Sequence, residues 1–155
     1  MTFSIPALTG ALCAGLLAAA PAVAQNGCEG APSNARLRVI VEGVHSDKGL
    51  MTATLYPDDA RAFLKKGGAL AVWRNPATAP TTAMCIWLPG PGSYAVAVYH
   101  DANSNMKWDH AMLGEIEGFG FSNNPRIFFS APGFDAVKFR ATAGDTTLHV
   151  RLSYR

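Results

Sequence analysis

The sequence predicts an all-β fold, an antiparallel β-sandwich of seven to eight short strands with one short helix. Three observations carry this expectation. Apolar residues recur at every second position in four separate stretches, Pro- and Gly-rich turns punctuate the chain every ~8–12 residues, and only one stretch has helical character.

Taken in order, "RLRVIVEGV" (36–44) sends Leu37, Val39 and Val41 to one face and Arg38 and Glu42 to the other. "GLMTATLYP" (49–57) alternates Met51, Ala53 and Leu55 with Thr52, Thr54 and Tyr56, after a "HSDKG" turn that ends in Gly49. "PDDARAFLKKG" (57–67) opens on Pro and Asp, continues in good helix formers and stops at Gly67, so it is expected to be one or two helical turns over a sheet end. "ALAVWRN" (69–75), "TAMCIWL" (82–88), "RIFF" (126–129) and "VKFRAT" (137–142) are weaker strands. "GSYAVAVYH" (92–100) places Tyr94, Val96 and Val98 opposite the small Ala95 and Ala97, and "TTLHVRLSY" (146–154) turns Leu148, Val150, Leu152 and Tyr154 inward. A Pro/Gly turn feeding a Tyr-led strand, as in "LPGPGSYAVAVYHD" (88–101), resembles late strands of immunoglobulin-like and transthyretin-like sandwiches, a likeness of fold that implies no function.

The N-terminus differs from the rest. From Ile5 to Val23 the chain carries no charge, and it closes on Ala22-Val23-Ala24, so residues 1–24 read as a secretory signal peptide although "MTFS" lacks Lys or Arg. Pro6, Gly10, Gly15 and Pro21 make a poor permanent membrane helix, and Leu12 before Cys13 is not the small residue that precedes a lipidated cysteine. Cleavage leaves residues 25–155, about 130 residues, enough for one domain with a buried core. A periplasmic or secreted location follows, with no membrane insertion after cleavage. In an oxidising compartment Cys28 and Cys85 are expected to pair, closing a long loop and stabilising the fold by at most ~4 kcal/mol. The 13 Lys/Arg and 11 Asp/Glu nearly balance, and no basic run exceeds Lys65-Lys66, so nucleic acid is not an implied partner.

"YHDANSNMKWDH" (99–110) is where chemistry concentrates. Asp101, Asn103, Asn105 and Asp109 fall at positions one, three, five and nine of a calcium-loop pattern, with the carbonyl of Lys107 at seven. Met106 stands where such loops need Gly, and Met112 where they need a bidentate Glu, so Glu117 is the expected closing ligand, with Glu115 second. The opposing reading is plain turn chemistry, since Asp and Asn cap nearby amides and tolerate left-handed backbone. Both readings stand at this stage, and calcium is the candidate cofactor.

Other candidates are weaker. His100 and Asp101 are adjacent, which on a strand points them to opposite faces. Ser122 lacks a nucleophile-elbow context, and His45, His110 and His149 read as surface residues. In "GEIEGFGFSNNPR" (114–126), Phe119 and Phe121 are expected to fold onto the core; with Trp108 they would otherwise form an aromatic platform for a sugar or peptide.

The tyrosine strand, the "HD-x-N-x-N" loop and "EGFGFSN", with "LRVIVEGVHSDKGLMTATLYPDD" and "FDAVKFRATAGDTTLHVRLSY", resemble the bacterial exported proteins grouped as domain-of-unknown-function family 2141. The likeness covers nearly all of the chain after the signal segment. It implies a small exported β domain with a cysteine pair and no established activity. The family's loop commonly reads like "HDENGNGKLD", so Ser104 here replaces a usual Gly. The expected function is therefore a non-catalytic binding or structural module, calcium-stabilised through 101–117. A carbohydrate- or peptide-binding domain, with an envelope protein or glycan as partner, is the alternative; a periplasmic hydrolase comes third.

Overall fold

The computed structural model describes residues 27–109, 116–128 and 130–154. Strands β1 (Ala35–Glu42), β2 (Leu50–Tyr56), β3 (Ala71–Pro76), β4 (Thr81–Trp87), β5 (Gly92–Asp101), β6 (Phe119–Phe121), β7 (Phe139–Ala141) and β8 (Gly144–Arg151) form two sheets. One is ordered β4-β1-β8; the other is ordered β3-β2-β5-β6, with β7 beside the first residues of β5. The arrangement is the expected sandwich. Every strand pairing is antiparallel except β1 with β8, which run parallel from Ala35↔Gly144 to Glu42↔Arg151. Among the described residues no helix is long and apolar enough to cross a membrane.

The alternation explains the layers. Leu37, Val39 and Val41 of β1, Met84 and Ile86 of β4 and Val150 of β8 meet Met51, Ala53 and Leu55 of β2 and Val96 and Val98 of β5 in the main core. Each fully buried Val, Leu, Ile or Met contributes roughly 1.5–3 kcal/mol of transfer free energy. Glu42 and His149 remain at the surface and pair at 2.8 Å.

A second, smaller core lies on the other side of the second sheet. Tyr56, Ala95 and Phe121 present their side chains there, and Phe63, Phe134 and Val137 cover them. Phe63 meets Tyr56, Phe121 and Phe134 edge-on, with ring centroids 5.2–6.1 Å apart. This explains why β2 and β5 are buried on both faces over part of their length.

Several local expectations are corrected. Residues 57–67 are not helical: i→i+3 bonds from Ala62 to Asp59, Lys65 to Ala62 and Gly68 to Lys65 make successive turns. Leu64 lies at φ 56°, which stops a helix while Phe63 seats in the second core. The helix among the described residues is instead α1, Phe134–Val137, which takes Val137 out of the strand expected over 137–142. Arg126–Phe128 is not strand. Asn123 and Asn124 have positive φ, and the Asn124 side chain binds the edge of β8, accepting from Arg151 N–H (2.7 Å) and donating to the His149 carbonyl (2.8 Å). Residues 119–121, for which no strand was expected, form β6 and link the sheets through reciprocal Phe119–Ser153 backbone bonds of 3.0 and 2.8 Å.

Cys28 and Cys85 are disulfide-bonded across 57 residues of sequence. The bridge fastens the N-terminal segment to β4 of its own sheet, helped by paired Glu29–Cys85 and Trp87–Glu29 backbone bonds of 2.8 Å. The expected signal segment, Cys13, His110, Met112 and Glu115 lie outside the described residues.

Candidate functional site: a polar loop beside an apolar pocket

The loop begins where β5 ends. Gly49, at φ 69°, packs so closely on the Asp101 carbonyl that a Cβ there would collide with it, which is why the preceding turn ends in glycine. Asp101 is fully buried. Its Oδ1 accepts the Asn105 N–H (3.0 Å) and its Oδ2 the Met106 N–H (2.8 Å). Asn103 Oδ1 accepts from Asn105 N–H (2.9 Å), and Asn105 Oδ1 from Lys107 N–H (2.8 Å). The side-chain amides of Asn103 and Asn105 both donate to Asp109 Oδ2, at 3.2 and 2.5 Å. Asp109 N–H in turn donates to Glu117 Oε2 at 2.8 Å.

All five candidate ligands therefore belong to one hydrogen-bonded network. The turn chemistry expected of Asp and Asn is present in full. Among the described residues, no three Asp, Glu, His or Cys side chains gather as a ready-made cation cage. One sequence objection to a calcium-type loop falls away, however. Met106 adopts φ 63° and Ser104 φ 59°, so the backbone makes its bend without glycine, at ~1–2 kcal/mol per residue.

Glu117, like Thr52 and Asn75 elsewhere in the second sheet, has a buried side-chain oxygen without a partner among the described residues, and within the loop network it is the anomaly. It is only 2 % exposed, Oε2 holds one amide, and Oε1 has no hydrogen-bond partner among the described residues. Burial pushes its carboxyl above the ordinary range; the Asp109 amide pulls it down, the carboxylates of Asp101 and Asp109 push it up further, and His100 lowers it again. Among the described residues no Lys or Arg forms an ion pair with any of these three.

The neighbouring polar groups are structural. His100 is buried, with Nε2 2.7 Å from the Lys48 carbonyl and Nδ1 2.9 Å from Tyr154 Oη. A carbonyl only accepts, so Nε2 carries a proton; in the neutral ring Nδ1 then accepts from the phenol. His100 and Asp101 thus have separate partners and share no hydrogen bond. Tyr154 stacks on the exposed His45 at 3.6 Å and leaves no room for a Cβ on Gly118; burial raises its phenol's pKa. Ser122 Oγ donates to the Val137 carbonyl (2.5 Å) and accepts from Val96 N–H (3.0 Å), tying α1 to β5.

Beside the loop, on the outer face of the second sheet, is a pocket of about 500 Å³. Thr54 and Tyr56 of β2, Ala97 and Tyr99 of β5 and Phe119 and Phe121 of β6 line it, and Leu64, Trp108 and Phe128 stand around them. The three weak ligand-binding candidates are brought together here. Trp108 meets Phe119 edge-on at 5.1 Å, and Phe119 meets Phe121 at 6.2 Å. Their roles separate: Phe121 is core, Phe119 is half-buried against it, and Trp108 is 39 % exposed. Sequence reasoning missed the floor and the distal wall. The available signal was a second face of β2 and β5 made of Thr, Tyr and Ala, with no charged residue before Asp101.

Searches of curated proteins and of solved structures return no match to this chain. A family model does match, over residues 39–149, from within β1 to within β8, and includes the loop, Glu117 and the β-strand residues of the pocket. The chain belongs to the family described as "Uncharacterized protein conserved in bacteria (DUF2141)".

Proposed function

We propose that this chain is an exported, non-catalytic binding module that takes a small, predominantly apolar ligand in the pocket over Ala97. One observation carries the reading. The outer face of an antiparallel sheet is ordinarily polar where it meets solvent, whereas here it is aromatic, with Ala97 leaving the space open. A pocket of about 500 Å³ falls within the usual range for small-molecule sites. The polar groups that face it are hydroxyl-bearing side chains, Thr54, Tyr56, Tyr99 and Ser130, enough to orient one or two ligand groups. A sugar would need more partners than that, so an apolar ring or chain is favoured over the glycan expected from the loop aromatics.

The test is titration with N-phenyl-1-naphthylamine, an uncharged aromatic fluorophore, against the native chain and Ala97→Phe. Saturable binding by the native chain, lost when the phenyl ring fills the floor while the circular dichroism spectrum is kept, supports the reading. Equal binding by both proteins, or none by the native chain, refutes it.

A further inference from the structure

We propose that the loop Asp101–Asp109, closed by Glu117, is a binding site for a hard divalent cation of the calcium class. This inference goes beyond the pocket and does not depend on it. Its basis is the Glu117 carboxylate, nearly fully buried, with Oε1 lacking any partner among the described residues and the carboxylates of Asp101 and Asp109 for neighbours. Buried polar atoms are satisfied in the great majority of cases, and each exception needs a cause. Turn chemistry supplies no cause here: the turns are complete through Asp101, Asn103 and Asn105, and none of them uses Glu117 Oε1. A cation does supply one, because it takes up the orphan oxygen and neutralises three carboxylates that no Lys or Arg among the described residues pairs with.

The ligand chemistry selects the ion. Asp101, Asp109 and Glu117 with the amide oxygens of Asn103 and Asn105 offer only hard oxygens, which suit calcium and not the softer transition metals. Main-chain carbonyls of the loop complete the set. The cage is not closed in advance, since Asp109 is held by two side-chain amides and both Asn oxygens cap main-chain N–H groups. Entry of the ion exchanges the two amide donors on Asp109 for the cation. That rearrangement, together with only three charged ligands, places affinity in the weak extracellular range, ~0.1–1 mM.

The experiment uses the purified chain freed of metal with chelator. Its melting temperature is followed against calcium chloride up to 10 mM (~10-fold above the weak end of that range) at constant ionic strength, with magnesium as comparator. The expected result is a saturable rise with a half-point in the stated range, a smaller rise with magnesium, and loss of the calcium response in Glu117→Gln. An independent readout is terbium luminescence sensitised by Trp108, which lies within the loop, and its displacement by calcium. Identical melting in calcium and in chelator overturns the proposal, as does a Glu117→Gln protein that keeps the full calcium shift. Should Glu117→Gln not fold, the terbium signal of the native chain decides: displacement by calcium supports the site, and a signal that calcium leaves unchanged overturns it.

Discussion

Glu117→Gln has two effects of opposite sign, and the structure fixes both. In metal-free protein at neutral pH the substitution removes a buried charge beside two carboxylates and replaces the orphan oxygen with an N–H₂ that can donate to them. Leaving a buried acceptor unsatisfied costs ~1–3 kcal/mol. Against this, the Asp109 N–H exchanges a charge-assisted bond for a neutral one, a loss of ~1 kcal/mol. The net is a stabilisation of about 1 kcal/mol, or ~3–5 °C in melting temperature for a domain of this size. The pH dependence follows. The folded-state pKa of Glu117 is raised from the ordinary 4.5, so its contribution is fully present below 4.5 and is lost as pH rises through the folded value. The difference between the native chain and Glu117→Gln is therefore smallest below pH 4.5 and grows as pH rises through the folded value. Thermal unfolding in chelator across that range is the assay. A variant less stable than the native chain by 1 kcal/mol or more at pH 7, in chelator, refutes the reasoning.

Gly49→Ala brings a Cβ onto the Asp101 carbonyl at a positive φ; a loss of more than ~2 kcal/mol is expected, read by chemical denaturation, and an unchanged midpoint refutes the close contact. Replacing Cys28 and Cys85 together by Ser releases a 57-residue loop and lowers stability by up to ~4 kcal/mol; the check is that the double variant melts where the reduced native chain does. Phe63→Ala removes the ring at the centre of the second core, with an expected loss of ~3 kcal/mol, measured by the same denaturation, and a loss under 1 kcal/mol would show that cluster to be loosely packed.

Strands whose two faces differ in polarity were legible in the sequence. In β1 and β8 the alternation of Leu37, Val39 and Val41 with charged partners, and of Val150 and Leu152 with His149 and Arg151, matches the observed burial. β6 and α1 were not, because three or four residues span little more than one period of their patterns and are held by tertiary bonds such as Phe119–Ser153. The segment 57–67 misled because its composition favours helix, while Phe63 gains more by reaching the second core than a helix would return. At the site, the spacing of Asp101, Asn103, Asn105 and Asp109 was visible. Glu117 is legible as the closing residue, but its unpartnered oxygen depends on burial by distant segments and has no local signature. Met106 shows the limit from the other side: a missing glycine did not prevent the left-handed bend.

Trp108 belongs to two neighbourhoods at once, set between Lys107 and Asp109 in the polar loop while its indole forms a wall of the aromatic recess. Whatever stiffens one neighbourhood thereby trims the freedom of the other. Thermodynamic reciprocity then requires that, if an ion raises the affinity for a hydrophobic guest by some factor, the guest raises the affinity for the ion by that same factor. A protein filled on one side would be harder to empty on the other, so dialysis history becomes a variable that any binding measurement must hold fixed.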